Sequence, residues 1–330
     1  MRQVKFLGNS RVAVVEAPDP RPKERQVLIK RHASGICGRE LGAYRSERGH
    51  PSNLGHEVTG EVLEAPEQSR FEPGDRVGIH AEWGCGSCPW CLQGAYTYCE
   101  DRLGTLEGAH ADLVVAPDHC CLKLPDDVPD DVGVLLTSDG LGVPYHCSQR
   151  IKTRGGDFVL VVGAGPIGLG NILLQAFRGA EVIALDIQDE RLKLARELGA
   201  RHAINVAQID AVVAVRDITE GAMCAATINA VGAEQGLRTC IRCTAVGGLI
   251  MNLGQVGPMD LNITGDLASR DLSLIGSSFY HFREFPEMVK LYRRGLPVAK
   301  LITHRFPLSE ADRAYREFVD GATGKVILVP

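Results

Sequence analysis

Cys85, Cys88, Cys91 and Cys99 fall in the stretch CGSCPWCLQGAYTYC at separations of three, three and eight residues. Four thiolates on one short loop can surround zinc tetrahedrally, and the longer interval gives the chain room to bring the fourth sulfur back. The same ligands would suit an iron–sulfur cluster, because sulfur alone does not select the metal. Zinc closed by four protein ligands has no open position, so its expected role is to hold a loop. Three further places offer ligand types: Cys37, the adjacent His56 and Glu57, and Asp139. Spacing alone does not bring these together. A buried cysteine, a hydrogen-bonded histidine and a surface aspartate would be an ordinary arrangement.

A different chemistry is written in GAGPIG, where Gly163, Gly165, Pro166, Ile167 and Gly168 follow the apolar run FVLVV. The first glycine permits the turn, the second removes a side chain from the path of a pyrophosphate, and the third lets helix and strand approach. Amides at the helix start can then receive phosphate charge. Asp186, eighteen residues beyond Gly168, ends the next apolar run. It would accept hydrogen bonds from the adenosine ribose hydroxyls, which favours NAD over NADP. Arg191 lies in the following helix, too far from the strand end to be a good partner for an added phosphate. FAD carries the same adenosine pyrophosphate, although an FAD site commonly opens a chain, and a βαβ turn that holds no ligand is the plain structural alternative.

Two kinds of scaffold must position these residues. The first third reads as short strands broken by turns: 12–18, 26–36, 57–65 and 111–117, with Gly74-Asp75 feeding another at 76–79. From Asp157 the grammar becomes strand, glycine turn, helix, repeated through EVIALD, DERLKLARELG, HAINV, CAATINAVG and GGLIMNLG, which predicts a parallel sheet covered by helices. LSLIGSSFY closes that region, FPEMVKLYRRG is an amphipathic helix, and the last thirty residues give a strand, a helix opened by Ser309 and a final strand. With 330 residues, 45% hydrophobic and 23% charged, the chain can bury a sizeable core and is long enough for two domains. A net charge of -5 without a long basic block argues against nucleic acid. The absence of an apolar run near eighteen residues, or of a signal-peptide core at the start, argues against the membrane and for a soluble cytoplasmic protein. Eleven cysteines suit such a compartment if some are ligands.

In the order CGRE (37–40), GHEVTG (55–60), PGDRV (73–77), the four-cysteine loop, GAGPIG (163–168) and GKVIL (324–328), the sequence resembles the zinc-dependent medium-chain alcohol and polyol dehydrogenases, a sorbitol dehydrogenase-like group. The resemblance spans nearly the whole chain. It implies a GroES-like, strand-rich catalytic domain over 1–138 and 282–330, interrupted by a doubly wound Rossmann coenzyme domain over 139–281. It also implies two zinc ions per chain. Cys37, His56 and Asp139 are the expected ligands of a catalytic one, with Glu57 beside them orienting a ligand, exchanging onto the metal or tuning the electrostatics. The chain departs from the family where Arg39 and Gly42 replace the usual hydroxyl and histidine of the proton relay, so that relay does not carry over. Arg39 is left either to contact a substrate carboxylate, phosphate or hydroxyls, or to pair with Glu40 or Glu57. Tyr44 is a candidate for the pocket wall, and His50 and His80 for proton transfer.

These readings together predict oxidation of a secondary alcohol on a polyol, sugar or cyclitol to a ketone with NAD, in a cleft between the domains that excludes water. The low aromatic content, 5%, leans toward a small polar alcohol. The alternatives are a simple alcohol dehydrogenase and a catalytically inactive NAD-binding regulator. A homodimer or homotetramer is implied, with GGLIMNL and LSLIGSS as possible interface edges.

Overall fold

The longest strand, Gln26–Gly35, is buried along most of its length, which a strand achieves only with neighbours on both edges and cover on both faces. In the computed structural model, which describes residues 1–330, it anchors a seven-stranded sheet. Glu57–Glu64 pairs antiparallel with it along one edge. The other edge is shared by Leu113–Pro117 and, at the strand's far end, by Lys325–Val329. Gly35 lies opposite Glu57 in this register. Cys37, just past the end of one strand, and His56, just before the start of the other, are therefore brought to the same end of the sheet.

These strands belong to a unit made of residues 1–142, 280–291 and 302–330. The helix Ala311–Asp320 packs on it through Ala311, Ala314, Tyr315 and Phe318, spaced as one face of a helix. Their neighbours in the core include Phe6, Tyr44, Phe306 and Leu328. Each large side chain buried this way stabilises the fold by about 1.5–3 kcal/mol. The helix ends at Gly321, whose φ of 82° is left-handed. Its start differs from the sequence expectation: Ser309 lies within a 3-10 turn, Leu308–Glu310, and the α-helix begins at Ala311 after Glu310.

Residues 143–279 and 292–301 form the second unit. Its six-stranded sheet runs, in spatial order, His202–Asn205, Glu181–Asp186, Phe158–Val162, Cys224–Asn229, Thr244–Asn252 and Ser273–Gly276, all parallel. The chain winds outward one way from Phe158–Val162 and then the other way from Cys224–Asn229, so the order reverses between these two strands. Parallel sheets bind ligands beyond the carboxyl ends of strands at such a reversal. The segment GGLIMNL, expected as a possible interface edge, is instead flanked on both sides within the sheet, and Ser273–Gly276 is the edge. No helix is long and apolar enough to cross a membrane.

Candidate active site

The register of the first sheet and the first turn of the helix Asp139–Arg150 converge on one cluster. One donor atom from each of Cys37, His56, Glu57 and Asp139 lies within 4.8 Å of the others. Cys37 Sγ is 3.5 Å, and His56 Nε2 3.3 Å, from Oδ2 of Asp139. Tetrahedral zinc with ordinary bond lengths requires sulfur–oxygen and nitrogen–oxygen separations of about 3.5 and 3.3 Å, so these residues fit the ion. His56 Nδ1 is 2.9 Å from the Leu54 carbonyl. A carbonyl can only accept, so Nδ1 carries the proton and Nε2 presents its lone pair to the cluster.

Before a metal binds, a proton takes its place on His56 Nε2: burial lowers the imidazole, but the charge and hydrogen bonds of Cys37 and Asp139 raise it well above its usual value. Burial raises the Asp139 carboxyl, but this imidazolium, with Lys325 and Arg39 behind it, outweighs burial and holds it at about 2, so zinc would bind in exchange for the proton. Burial drives Glu57 up to about 7, against the pull of Lys325. Oδ1 of Asp139 and Oε2 of Glu57 are buried with no hydrogen-bond partner, a costly condition that a cation relieves. The other oxygen of Glu57 is ion-paired with Lys325, from the strand Lys325–Val329. That pair packs against Gly35, where a Cβ would come within 2.8 Å of Lys325 Cε and 2.9 Å of Glu57 Oε2. Lys325 had no assigned task in the sequence; its only signal was its place in GKVIL.

Arg39 is exposed, and its two expected partners are taken. Glu57 holds Lys325, and Glu40 is buried against Cys37 N–H, His110 and Tyr315. Tyr44 is not a pocket wall: it is 1% exposed and stacks on Tyr315 in the core. His50 is a loop histidine bonded to the Ser52 carbonyl at 3.0 Å. His80 is fully buried among Tyr96, Tyr280 and Phe282.

The second cluster, Cys85, Cys88, Cys91 and Cys99, also converges within 4.8 Å. Cys85 and Cys91 sulfurs are 3.9 Å apart, and those of Cys88 and Cys99 3.8 Å. Zinc–sulfur bonds of about 2.3 Å in a tetrahedron place sulfurs about 3.8 Å apart, whereas a disulfide needs about 2.05 Å. The amides of Cys85, Cys88 and Cys91 point at cysteine sulfurs. Amide and hydroxyl bonds from Ser87, with the Cys88 amide, lower the Cys85 thiol to about 6, whereas burial raises Cys91 to about 12.

In the second unit, Gly163 turns at a φ of +93°, and a Cβ on Gly168 would overlap the Gly163 carbonyl. A Cβ on Gly165 would meet nothing within 4 Å, leaving open space before the helix Pro166–Phe177. Pro166 at the first helical position lacks an N–H, so Ile167 and Gly168 offer the leading amides. A cavity of about 440 Å³ opens here, lined among others by Gly163, Asp186, Arg191, Val231, Thr239 and Arg242. The Asp186 carboxylate already accepts the amides of Ala164, Ile187 and Gln188 at 2.7, 2.8 and 3.0 Å. Arg191, discounted for its distance along the helix, is folded back to 3.9 Å from Asp186, because the intervening turn is tight.

A strand-rich unit bearing metal-type clusters, joined in one chain to a doubly wound sheet with a glycine turn, defines a two-domain dehydrogenase architecture. Family models agree: residues 23–126 match the alcohol dehydrogenase GroES-like domain, and residues 166–294 match the zinc-binding dehydrogenase domain. A sorbitol dehydrogenase of Halalkalibacterium halodurans is 30% identical over 98% of this chain and 97% of its own. An L-threonine 3-dehydrogenase of Symbiobacterium thermophilum is 32% identical over 96% of this chain and 93% of its own. The solved structure of an alcohol dehydrogenase from Thermus sp. ATN1 matches with a TM-score of 0.90 at 30% identity, covering 100% of this chain and 99% of that one. The chain belongs to the zinc-binding medium-chain dehydrogenase/reductase family, and the GroES-like and Rossmann-like domains expected from the sequence are both present.

Proposed function

We propose that this protein oxidises a secondary alcohol on a small polar molecule, a polyol, sugar or cyclitol, to a ketone, with NAD as acceptor. The observation that carries the reading is the Cys37–His56–Asp139 cluster, whose separations suit tetrahedral zinc. When bound, zinc supplies Lewis acidity toward an alcohol oxygen, and NAD supplies a hydride acceptor.

The chain's own residues do the rest. Cys37, His56 and Asp139 hold the metal, and the Leu54 carbonyl keeps the His56 ring in the ligating tautomer. Glu57, tethered by Lys325, keeps one oxygen free beside these donors and adjusts the charge of the site. Arg39, exposed and engaged with neither Glu40 nor Glu57, orients the oxygens of the substrate. Ile167 and Gly168 amides receive the pyrophosphate, Gly163 and Gly165 give it room, and Asp186 holds the adenosine ribose. Cys85, Cys88, Cys91 and Cys99 hold a second zinc that fixes their loop.

One relative supports the polyol class, and a second supports a secondary hydroxyl as the group oxidised. Sorbitol is a polyol, and position 3 of threonine carries a secondary hydroxyl. The test is metal content together with NADH formation over a panel of polyols, sugars and cyclitols, with simple alcohols for comparison. Two zinc ions per chain and turnover of polyhydroxylated substrates are expected. One zinc with NADH binding but no turnover would mark a regulator, and a preference for simple alcohols would overturn the substrate class.

A further inference from the structure

His110 is fully buried, yet the chemistry above gives it no task. It stands between the two segments that carry Cys37 and His56. On one side its Nε2 is 3.0 Å from Oε2 of Glu40, which is itself fully buried. The other oxygen of Glu40 accepts the backbone N–H of Cys37 at 2.9 Å. On the opposite side the imidazole presses on Gly55, where an added Cβ would come within 2.7 Å of the ring. The same segment is laced to it by the backbone: Ala109 N–H donates to the Gly55 carbonyl at 3.0 Å, and His110 N–H to Asn53 Oδ1 at 2.9 Å. His110 Nδ1 is 2.9 Å from Ser34 Oγ, in the strand that leads to Cys37. Tyr315 donates its hydroxyl to the same Glu40 oxygen that faces His110.

We propose that His110 is a positioning residue for the metal, a bridge between Glu40 and Gly55 that sets the separation of Cys37 from His56. The inference rests on the zinc reading of Cys37, His56 and Asp139. Groups behind the ligands of a metal fix their orientation, and their loss typically lowers metal affinity about 10- to 100-fold. Without the imidazole, Glu40 loses a buried partner and no longer holds the Cys37 backbone against the 53–56 segment.

The test uses the full chain loaded with zinc. His110→Phe keeps a ring but donates nothing, and Tyr315→Phe removes a single bond to Glu40 and keeps the aromatic packing. Zinc release to a chromogenic chelator reads retention, and visible absorption of the cobalt-substituted protein reads ligand geometry. In His110→Phe the more labile ion is expected to leave at least about 10-fold faster, with shifted cobalt bands. The four-cysteine ion and the NADH Kd should stay at wild-type values. Tyr315→Phe should move both readouts in the same direction by less, and it decides the matter if His110→Phe does not fold. Wild-type release and an unaltered cobalt spectrum in a folded variant overturn the positioning role, as does equal acceleration from both metal sites. A wild-type chain that binds only one zinc overturns the metal reading itself, and this role with it.

Discussion

Lys325 and Glu57 form an ion pair at 2% and 0% exposure, so neither charge has water to fall back on. Removing one partner of such a pair costs about 3–5 kcal/mol, because the other remains buried and uncompensated. Lys325→Met is therefore expected to lower the unfolding free energy by about that amount in urea titration; a loss below about 1 kcal/mol would mean the pair is well hydrated. Asp139→Ala should lower kcat more than about 100-fold and leave the NADH Kd unchanged, since Asp139 and the glycine turn belong to different units; a variant with near-normal turnover would contradict the ligand role. His80 gives a pH prediction. Burial lowers its pKa from about 6.5 to about 4, against carbonyl contacts from Glu82 and Tyr280 and the charge of Asp139, with His281 adding to the lowering. The unfolded chain thus takes up this proton first as pH falls. The stability tied to neutral His80 is complete above about pH 6.5 and lost by about pH 4, on the order of 3 kcal/mol. Comparing wild type with His80→Asn by urea melts across that window should show the wild-type advantage shrinking toward acid; an advantage independent of pH would refute the assignment. At this scale the sequence exposed what is local. The four cysteines and the glycine turn are read from spacing, whereas Cys37, His56 and Asp139 needed resemblance, because sheet register unites them. His110 and Tyr315 carry no usable signal and Lys325 only its place in GKVIL, since each acts through a contact made only in the fold.

Secondary structure turns these contacts into geometry. Gly168 lies where the helix Pro166–Phe177 crosses the end of the strand Phe158–Val162, and a Cβ there would overlap the Gly163 carbonyl. Gly168→Ala forces the helix away from the turn, at an overpacking cost of about 1–3 kcal/mol. The NADH Kd should rise at least about 10-fold for a cost at the middle of that range, with zinc content unchanged. Fluorescence titration with NADH checks this, and wild-type affinity would show that the turn tolerates the methyl. Strands such as Gln26–Gly35 and Glu181–Asp186 are readable because short β-prone runs, at residues 27–29 and 182–185, stand in segments bounded by turn residues. The start of the helix after Pro307 was misread because Ser309 has the chemistry of a cap, but a 3-10 turn intervenes. The status of Thr244–Asn252 was equally hidden, since whether a strand is flanked on both edges depends on where the remaining strands go.

For the molecule as a whole, the two clusters should respond differently to metal removal. Each cluster has two buried and two partly exposed residues, so accessibility does not separate them; the difference is that a four-thiolate site has no open coordination position, whereas three protein ligands leave one. Mild chelation is expected to abolish NADH formation with little change in Tm and to be reversed by added zinc; exhaustive chelation should then lower Tm. Simultaneous loss of both ions, followed by calorimetry, would show instead that the sites are not independent. Order of synthesis follows from one pairing. Lys325–Val329 seats against Gln26–Gly35 and delivers Lys325 to Glu57, yet it is translated after all of residues 143–279. Until that strand is added the first unit lacks the cation that neutralises Glu57. Charge balance in the cluster thus depends on a pairing between residues 268 apart in sequence, which no local segment can supply by itself.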